Sequence, residues 1–341
     1  MTANITFFDV TEDQYLPLRR ALYAYPFWEV RLVGEPLGLM NAALAQNNAV
    51  ISIAAGTPVT AELLYKLPAL RLVATRSSNC DHIDLDAAAQ RGVAVCHAPE
   101  NTGLACAEYA FGLLIALMRR LPATLRRCQS GNFSRAGLTG EDLQGKALGL
   151  LGTDSSAAHM MRFAHAFGMR VIACDPISNP ASRQDDGMVY LDVEDFLPEA
   201  DALSIHLPYH RATHHLLDET RLRMLKPGSM LINVSHGGII DSRALARLQA
   251  EGHFGGLALD CFEGDTIWLN AQAPLPRGLP PHYLEQALHN FQLQLSDNVI
   301  LTPHNANNSH ESLNRSIATT LDNIAAFFAG KPRNLATTPP D

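Results

Sequence analysis

The sequence predicts an α/β protein of two domains, each built on a parallel β-sheet. At 341 residues the chain exceeds the size that one hydrophobic core usually serves. Short apolar runs alternate with segments of helical periodicity, an order typical of parallel sheets with helical crossovers. The runs, in chain order, are NNAVISIA, LRLVATRS, GVAVCHAP, KALGLLG, MRVIACD, DALSIHLP, SMLINVS and GLALD.

Composition and charge exclude several classes of protein. Hydrophobic residues make up 47% of the chain and charged residues 18%, which is typical of a folded, soluble protein. The net charge of −8 and the lack of a basic run argue against nucleic acid or a membrane as partner. The longest apolar segment, CAEYAFGLLIALMRR, is too short to span a bilayer and predicts a buried helix.

The cysteine content predicts a reduced protein. The six cysteines are scattered, without a C-x-x-C pair, so neither a zinc site nor a disulfide framework is expected. The first residues contain no basic stretch followed by an apolar stretch, which is the pattern of a secretory signal peptide. We therefore expect a cytoplasmic protein without a bound metal.

The segment GLLGTDSSAAHMM, residues 149–161, predicts a buried strand, a tight turn and a helix. Its apolar residues continue at helical spacing into HAF, and Gly168 then ends the helix before the strand MRVIACD. In many α/β proteins the phosphates of a dinucleotide bind at such a turn. Asp154 stands in the turn, where it places a negative charge at the beginning of the helix.

Four longer motifs carry a resemblance to a known family. They are LRLVATRSSNCDHIDLDAAAQRGVAVCHAPENT with AEYAFGLLIALMRR, then LQGKALGLLG with FGMRVIACDP, then LKPGSMLINVSHGGIIDSRALARLQAEGHFGGLALDCFE, and NVILTPHNA. Their order and near spacing, from about Leu70 to Ala325, resemble the D-isomer-specific 2-hydroxyacid dehydrogenases. The resemblance implies two Rossmann- or flavodoxin-like domains with a cleft between them. It also implies NAD as cofactor, a small 2-oxo or 2-hydroxy acid as substrate, and a homodimer.

The same resemblance divides the chain. Residues 1–103 together with 304–335 are expected to form the substrate domain. Residues 104–303 are expected to form the dinucleotide-binding domain. Within the dinucleotide-binding domain, the segment 266–297 interrupts the alternation of strands and helices. Loops of this length usually belong to a functional site or to an interface. We expect it to contribute to the cleft, because it leaves directly after Asp265 and returns just before His304.

Three residues correspond to the catalytic positions of the family. His304, in LTPHNA, matches the acid–base histidine that protonates the substrate carbonyl. Asp265 stands where a glutamate usually orients that histidine, and it is one methylene shorter. His236, in NVSHGG, stands where the family has an arginine. A histidine cannot supply the bidentate grip of a guanidinium on a 2-oxo acid, so an atypical substrate is predicted.

The remaining candidates bind substrate or cofactor. Ser78, Asn79 and Cys80 occupy the loop that holds the substrate carboxylate in the family. In the turn, Gly152 matches the first glycine of the phosphate fingerprint, and Asp175 matches the acid that binds the ribose. The predicted cofactor-binding set is Gly152, Asp154, Ser155, Asp175, His206 and Asp260.

Asp154, which replaces the second glycine of the fingerprint, leaves the function open. Two like charges about 4 Å apart repel by about 4 kcal/mol at an effective dielectric constant of about 20, or about three decades of affinity. Asp154 either fills the place of a phosphate by capping the helix, or turns outward while NAD still binds. The alternatives to an NAD-dependent oxidoreductase are a non-redox enzyme that binds a nucleoside such as S-adenosylmethionine, and an inactive binding or regulatory protein.

Overall fold

The computed structural model describes residues 3–99, 102–177, 188–265 and 281–336. The chain divides into two compact units. The first unit comprises Met1–Thr102 and Asn308–Asp341, and the second comprises Gly103–Asn307. Both are α/β units with parallel sheets, which confirms the predicted fold class.

The first unit contains a five-stranded parallel sheet in the order β2-β1-β3-β4-β5. The strands are β1 (Ala3–Phe7), β2 (Trp28–Leu32), β3 (Val50–Ile53), β4 (Leu72–Thr75) and β5 (Ala94–Cys96). Its helices are α1 (Glu12–Leu22), α2 (Ala61–Tyr65), α3 (Leu85–Gln90) and the C-terminal helix α11 (His310–Phe328). The residues of β3 and β4 are buried throughout, because helices cover both faces of the sheet.

The second unit contains a seven-stranded parallel sheet in the order β12-β11-β10-β9-β6-β7-β8. Its strands are β6 (Ala147–Leu151), β7 (Arg170–Cys174), β8 (Val189–Tyr190), β9 (Ala202–Ile205), β10 (Met230–Asn233), β11 (Gly256–Leu259) and β12 (Val299–Leu301). Its helices are α4 (Gly103–Met118), α5 (Leu121–Gln129), α6 (Ser155–Ala166), α7 (Val193–Phe196), α8 (Glu219–Met224), α9 (Ser242–Ala250) and α10 (Pro281–Gln294). The strand order reverses between β6 and β9, and ligands of such sheets bind at the carboxyl ends of the strands near that point.

Helix α6 shows how local sequence positions the functional turn. Asp154 adopts an extended conformation and caps the helix, and Gly168 ends the segment with a positive φ of 73°. Ala157, Met160 and Ala164 lie on the buried face of α6, which packs against the apolar helix α4. The predicted buried helix in CAEYAFGLLIALMRR is therefore confirmed as α4.

Each of the eight apolar runs contains a strand of the structure. Strands β1, β2, β8 and β12 were not among them. Of these, β8 has two residues and β12 three, and β2 and β8 lie at sheet edges where residues are only partly buried. Edge strands give a weak periodic signal, because one of their sides packs against nothing.

Candidate functional site

His304 lies in a turn that follows strand β12, and Asp260 holds this turn in place. The Asp260 carboxylate accepts hydrogen bonds from Thr302 Oγ1 (2.6 Å), the Asn305 N–H (2.8 Å) and the Ala306 N–H (2.8 Å). The main-chain N–H of His304 donates to the Asp260 carbonyl oxygen at 3.1 Å. These bonds stabilise the left-handed backbone of His304, whose φ is 53°.

Asp260, a predicted cofactor-binding residue, is fully buried, and both of its carboxylate oxygens accept hydrogen bonds from the turn. These contacts hold the turn that carries His304. Its predicted role in cofactor binding stays a prediction.

His304 and Asp265 form an ion pair. Nδ1 of His304 lies 3.6 Å from Oδ2 of Asp265; the His304 ring is half-exposed and the Asp265 side chain is mostly buried. The pKa of His304 is raised above its ordinary value, chiefly because the Asp265 side chain acts as a hydrogen-bond acceptor for the protonated ring. Partial burial opposes the shift, and the charges of Asp265 and Asp260 add to it. The separation is longer than a normal hydrogen bond, and catalytic pairs of this kind commonly tighten when substrate binds.

His236 is held by a hydrogen bond and by a stacked ring. Its Nδ1 accepts the N–H of Gly238 at 3.1 Å, so the ring is neutral with its proton on Nε2. The ring stacks on Tyr209 with centroids 4.0 Å apart and an angle of 11° between the planes. The Tyr209 hydroxyl in turn lies 3.1 Å from His214 Nδ1. In its neutral form His236 therefore has a single N–H donor, at Nε2, where the family resemblance implies a charged arginine with several donors.

The three predicted catalytic residues lie around one pocket of about 430 Å³ in the second unit. Glu263 also lines it, but its carboxylate is used within the chain: Oε1 lies 2.8 Å from His215 Nε2, and Oε2 accepts from the Ser242 hydroxyl at 2.6 Å. Asp265 is thus the acid that pairs with His304. Within the described residues, no group of three or more histidines, cysteines or acids is arranged to hold a metal ion.

The turn after β6 retains the geometry of a dinucleotide site. Gly152 has a φ of 101°, and a Cβ there would lie 2.5 Å from the main chain of His206. Asp175, which follows β7, accepts the N–H of Thr153 at 3.1 Å and its hydroxyl at 2.6 Å. The Asp175 carboxylate thereby fixes the turn at the carboxyl ends of β6 and β7.

A chain of hydrogen bonds links Asp154 to the core. Oδ1 of Asp154 accepts the N–H of Ala157 at 2.9 Å and the hydroxyl of Ser156 at 2.6 Å. The Ser156 hydroxyl lies 2.7 Å from His206 Nδ1, and Nε2 of His206 lies 2.8 Å from the Ser204 hydroxyl. Because the Ser156 proton is directed to Asp154, His206 Nδ1 must donate to Ser156 and Nε2 must accept from Ser204. Burial lowers the pKa of His206, which keeps the ring neutral.

His206, a predicted cofactor-binding residue, has a fully buried side chain and is linked to the Asp154 carboxylate through the Ser156 hydroxyl. Its predicted role in cofactor binding stays a prediction.

The beginning of helix α6 still has donors for an anion. Asp154 satisfies the N–H of Ala157, whereas the N–H groups of Ser155 and Ser156 have no hydrogen-bond partner among the described residues. Two first-turn donors therefore remain for a phosphate oxygen. The turn accordingly fits a dinucleotide in its backbone geometry, with the Asp154 carboxylate as an additional negative charge.

The predicted substrate loop lies in the first unit, directly after β4. The side chains of Ser78 and Asn79 are exposed, and Cys80 is half-buried. Burial raises the pKa of the Cys80 thiol to about 11, with a further contribution from Asp81, so the thiol stays neutral. The loop is anchored at Ser78, whose carbonyl oxygen lies 3.0 Å from Nδ1 of His97.

The predicted inserted segment 266–297 is described in part. Residues 266–280 lie outside the described residues, and helix α10 occupies Pro281–Gln294. Asn290 of this helix donates to the carbonyl oxygen of Glu263 at 2.7 Å. Helix α10 thus packs against the turn that carries Asp265, and it contributes Tyr283 to the pocket.

Two residues near the predicted candidates, one in each unit, were not predicted. Tyr209 carries no motif, because its partner His236 lies 27 positions away and only the fold brings the two rings together. Arg76 precedes the substrate loop with its guanidinium buried, where it donates to Ser52 Oγ at 3.1 Å and to the carbonyl oxygens of Phe8 and Asp9 at 2.7 Å. The only signal was the position of an arginine directly after an apolar strand.

Comparison with known proteins identifies the family. Residues 111–306 match the model of the D-isomer specific 2-hydroxyacid dehydrogenase, NAD binding domain. The chain belongs to the D-isomer-specific 2-hydroxyacid dehydrogenase family. The predicted resemblance is therefore confirmed.

Relatives within this family differ in their substrates. A glyoxylate reductase of Korarchaeum cryptofilum is 33% identical over 82% of this chain and 79% of its own length. An (S)-sulfolactate dehydrogenase of Chromohalobacter salexigens is 35% identical over 79% of this chain and 81% of its own length. The structure of a D-lactate dehydrogenase from Aquifex aeolicus, complexed with NAD and lactic acid, superposes with a TM-score of 0.83 at 30% identity, covering 99% of this chain and 100% of that one.

The comparisons decide the class of enzyme and the cofactor. The protein is an NAD-dependent dehydrogenase with a D-2-hydroxyacid dehydrogenase-like function, and NAD is its cofactor. The S-adenosylmethionine alternative receives no support from them. Among the described residues, no helix combines the length and apolarity needed to cross a bilayer.

Proposed function

We propose that the protein interconverts a 2-oxo acid and the corresponding D-2-hydroxy acid with NAD(H), and that its substrate is atypical for the family. The observation that carries the proposal is the His304–Asp265 pair, which a buried carboxylate holds at the edge of a pocket in the second unit. An acid–base residue with a positioned carboxylate partner is what reversible carbonyl reduction requires.

The chemistry assigns a role to each member of the pair. NADH, when bound, would supply the hydride equivalent for the carbonyl carbon. Protonated His304 donates its proton to the carbonyl oxygen, so that the carbonyl double bond becomes the C–O single bond of the hydroxy acid. Asp265 stabilises the positive charge of His304 before that transfer. In the reverse direction neutral His304 accepts the hydroxyl proton.

The proposed atypical substrate follows from His236. A neutral imidazole, which has a single N–H donor, binds a carboxylate less strongly than a guanidinium, which binds through two donors and carries a charge. We assign the substrate carboxylate to the loop Ser78, Asn79 and Cys80, and we assign the first unit as the substrate domain. Residues 103–307 then form the cofactor domain, which the NAD-binding family model overlaps.

The cofactor-binding assignments are Gly152, Ser155 and Asp175. Gly152 allows the tight turn, the N–H of Ser155 at the helix start would donate to a phosphate oxygen, and Asp175 at the end of β7 would accept ribose hydroxyls. We further propose a cytoplasmic homodimer, as family membership implies, and light scattering after size-exclusion chromatography tests the dimer.

The test is reduction of 2-oxo acids, followed by the loss of NADH absorbance. We expect turnover by the native protein and a decrease in kcat of about 100-fold or more for His304→Gln, which removes the acid. His165→Gln, which alters an exposed histidine near the end of α6, is the matched control and should retain activity. Tight NADH binding without turnover of any 2-oxo acid would instead favour a catalytically inactive regulatory protein.

A further inference from the structure

The pocket beside His304 carries information about the substrate side chain, provided that the proposed function is correct. It has a volume of about 430 Å³, within the range of about 300–1,000 Å³ typical of sites for ligands much larger than a two- or three-carbon acid. Its lining includes Tyr209, His236, Phe262 and Tyr283. All of these residues belong to the second unit.

The charges of the pocket disfavour a second anionic group on the substrate. Its described lining contains two acids, Glu263 and Asp265, and neither a lysine nor an arginine. Glu263 is already paired with His215 and Ser242, and Asp265 with His304. A carboxylate, phosphate or sulfonate on the substrate side chain would therefore lose its hydration without gaining a lysine or arginine partner among the described lining residues, and protonated His304 is already paired with Asp265.

The aromatic residues offer ring surface that is already fixed in position. Tyr209 is 42% exposed although its ring is held by His236 on one side and by a hydroxyl contact to His214. Gly238 is required for this arrangement, since a Cβ there would lie 2.7 Å from the Tyr209 ring. Rings that are rigid and partly exposed in a concave site bind ring-bearing ligands with little loss of entropy.

We infer that this pocket receives the side chain of the substrate, and that this side chain is an uncharged aromatic ring. The substrate class is then a 2-oxo acid with an aryl group on its third carbon, for which phenylpyruvate is the probe. The carbonyl group lies at His304 and the ring packs toward Tyr209. The reaction itself is unchanged.

The test compares kcat/KM with NADH for four 2-oxo acids. Phenylpyruvate carries the ring, 4-methyl-2-oxopentanoate is the aliphatic control of comparable bulk, pyruvate is small, and 2-oxoglutarate carries a second anion. We expect kcat/KM for phenylpyruvate to exceed that for the aliphatic and the small acid by about tenfold. A factor of this size corresponds to the free energy of one or two contacts between aromatic rings. We expect 2-oxoglutarate to be the poorest of the four.

Variants of Tyr209 separate a specific contact from a structural effect. Tyr209→Leu should reduce the preference for phenylpyruvate over pyruvate by about fivefold to tenfold, whereas Tyr209→Phe should retain that preference. A residue with only a structural role would lower kcat/KM for both acids by the same factor, and this result would overturn the inference.

The other outcomes are equally decisive. A preference for pyruvate or for the aliphatic acid overturns the aromatic assignment and leaves the dehydrogenase function intact. A preference for 2-oxoglutarate overturns the argument from charge. Failure to reduce any of the four acids while NADH binds rejects the proposed function, and the inference fails with it.

Discussion

Asp154 and His206 are connected through a single hydroxyl group, that of Ser156. Oδ1 of Asp154 lies 2.6 Å from Ser156 Oγ, which lies 2.7 Å from Nδ1 of the fully buried His206. Burial lowers the pKa of His206 and favours its neutral form, which donates from Nδ1 to Ser156 and accepts at Nε2 from Ser204. The Asp154 carboxylate at the beginning of helix α6 is therefore fixed by hydrogen bonds that reach a buried residue, while its side chain remains 51% exposed.

Removal of the Asp154 charge should tighten NADH binding. Asp154→Asn keeps an acceptor for the Ala157 N–H and removes the negative charge. We expect the Kd for NADH to fall by about fivefold to tenfold, less than the bare Coulomb energy of a close pair because the side chain is exposed to solvent. Isothermal titration calorimetry measures the change in Kd. An unaltered Kd would mean that the Asp154 carboxylate lies too far from the phosphates to repel them.

Asp154→Ala separates the cap from the charge. It should tighten NADH binding as Asp154→Asn does, and it should also lower the free energy of unfolding by about 1 kcal/mol through loss of the helix cap. Urea denaturation compares the two variants. Equal stability of both would show that the hydrogen bond to Ala157 contributes little.

The pH dependence of catalysis should follow His304. The Asp265 pair raises its pKa above the ordinary value, so the protonated acid persists to higher pH than for an isolated histidine. Reduction of the 2-oxo acid should decline as pH rises through that pKa, and oxidation of the hydroxy acid should increase over the same interval. Asp265→Asn removes the negative charge. It should shift both the decline in kcat/KM for reduction and the rise in kcat/KM for oxidation to lower pH. Profiles that do not shift would exclude Asp265 as the partner of His304.

Asp260 should be required for both stability and the position of His304. Asp260→Asn replaces one acceptor oxygen of a fully buried side chain by an amide donor, which then faces an N–H or hydroxyl donor of the turn. We expect a loss of about 1–3 kcal/mol in the free energy of unfolding, together with a lower kcat. Asp241→Asn is the matched control, since Asp241 also accepts two N–H groups but caps a helix at a less buried position. A fall in stability without a change in kcat would assign Asp260 a structural role alone.

An arginine at position 236 should increase the affinity for small 2-oxo acids. His236→Arg supplies a charged, bidentate donor, and we expect KM for pyruvate to fall by about tenfold. The same change removes the ring stacked on Tyr209, so KM for phenylpyruvate should not fall in parallel. His236→Gln, which lacks the charge, serves as the control. An increase in KM for every 2-oxo acid would show that the stacked imidazole itself binds substrate.

Most of the strands that could be predicted from the sequence are continuous apolar runs; the interior strand β1, whose residues Ile5–Phe7 are buried, was nevertheless missed. Runs such as KALGLLG and DALSIHLP are continuous in apolar residues because helices cover both sides of a parallel sheet, and each corresponds to a strand. The short strands β8 and β12 lack that signal. Asp154 as a helix cap could likewise be predicted, since capping depends on residues three apart in the sequence.

The sequence by itself determined the α/β class and the family, and it singled out His304, Asp265 and His236 as candidates, because local periodicity and motif spacing carry that information. Only the tertiary structure decided which groups Asp260 and His206 contact, since their partners come from other strands and turns. It also decided that Tyr209 stacks on His236, which no spacing indicates. Buried hydrogen-bond chains and ring contacts depend on distances across the sheet, and those distances exist only once the chain has folded.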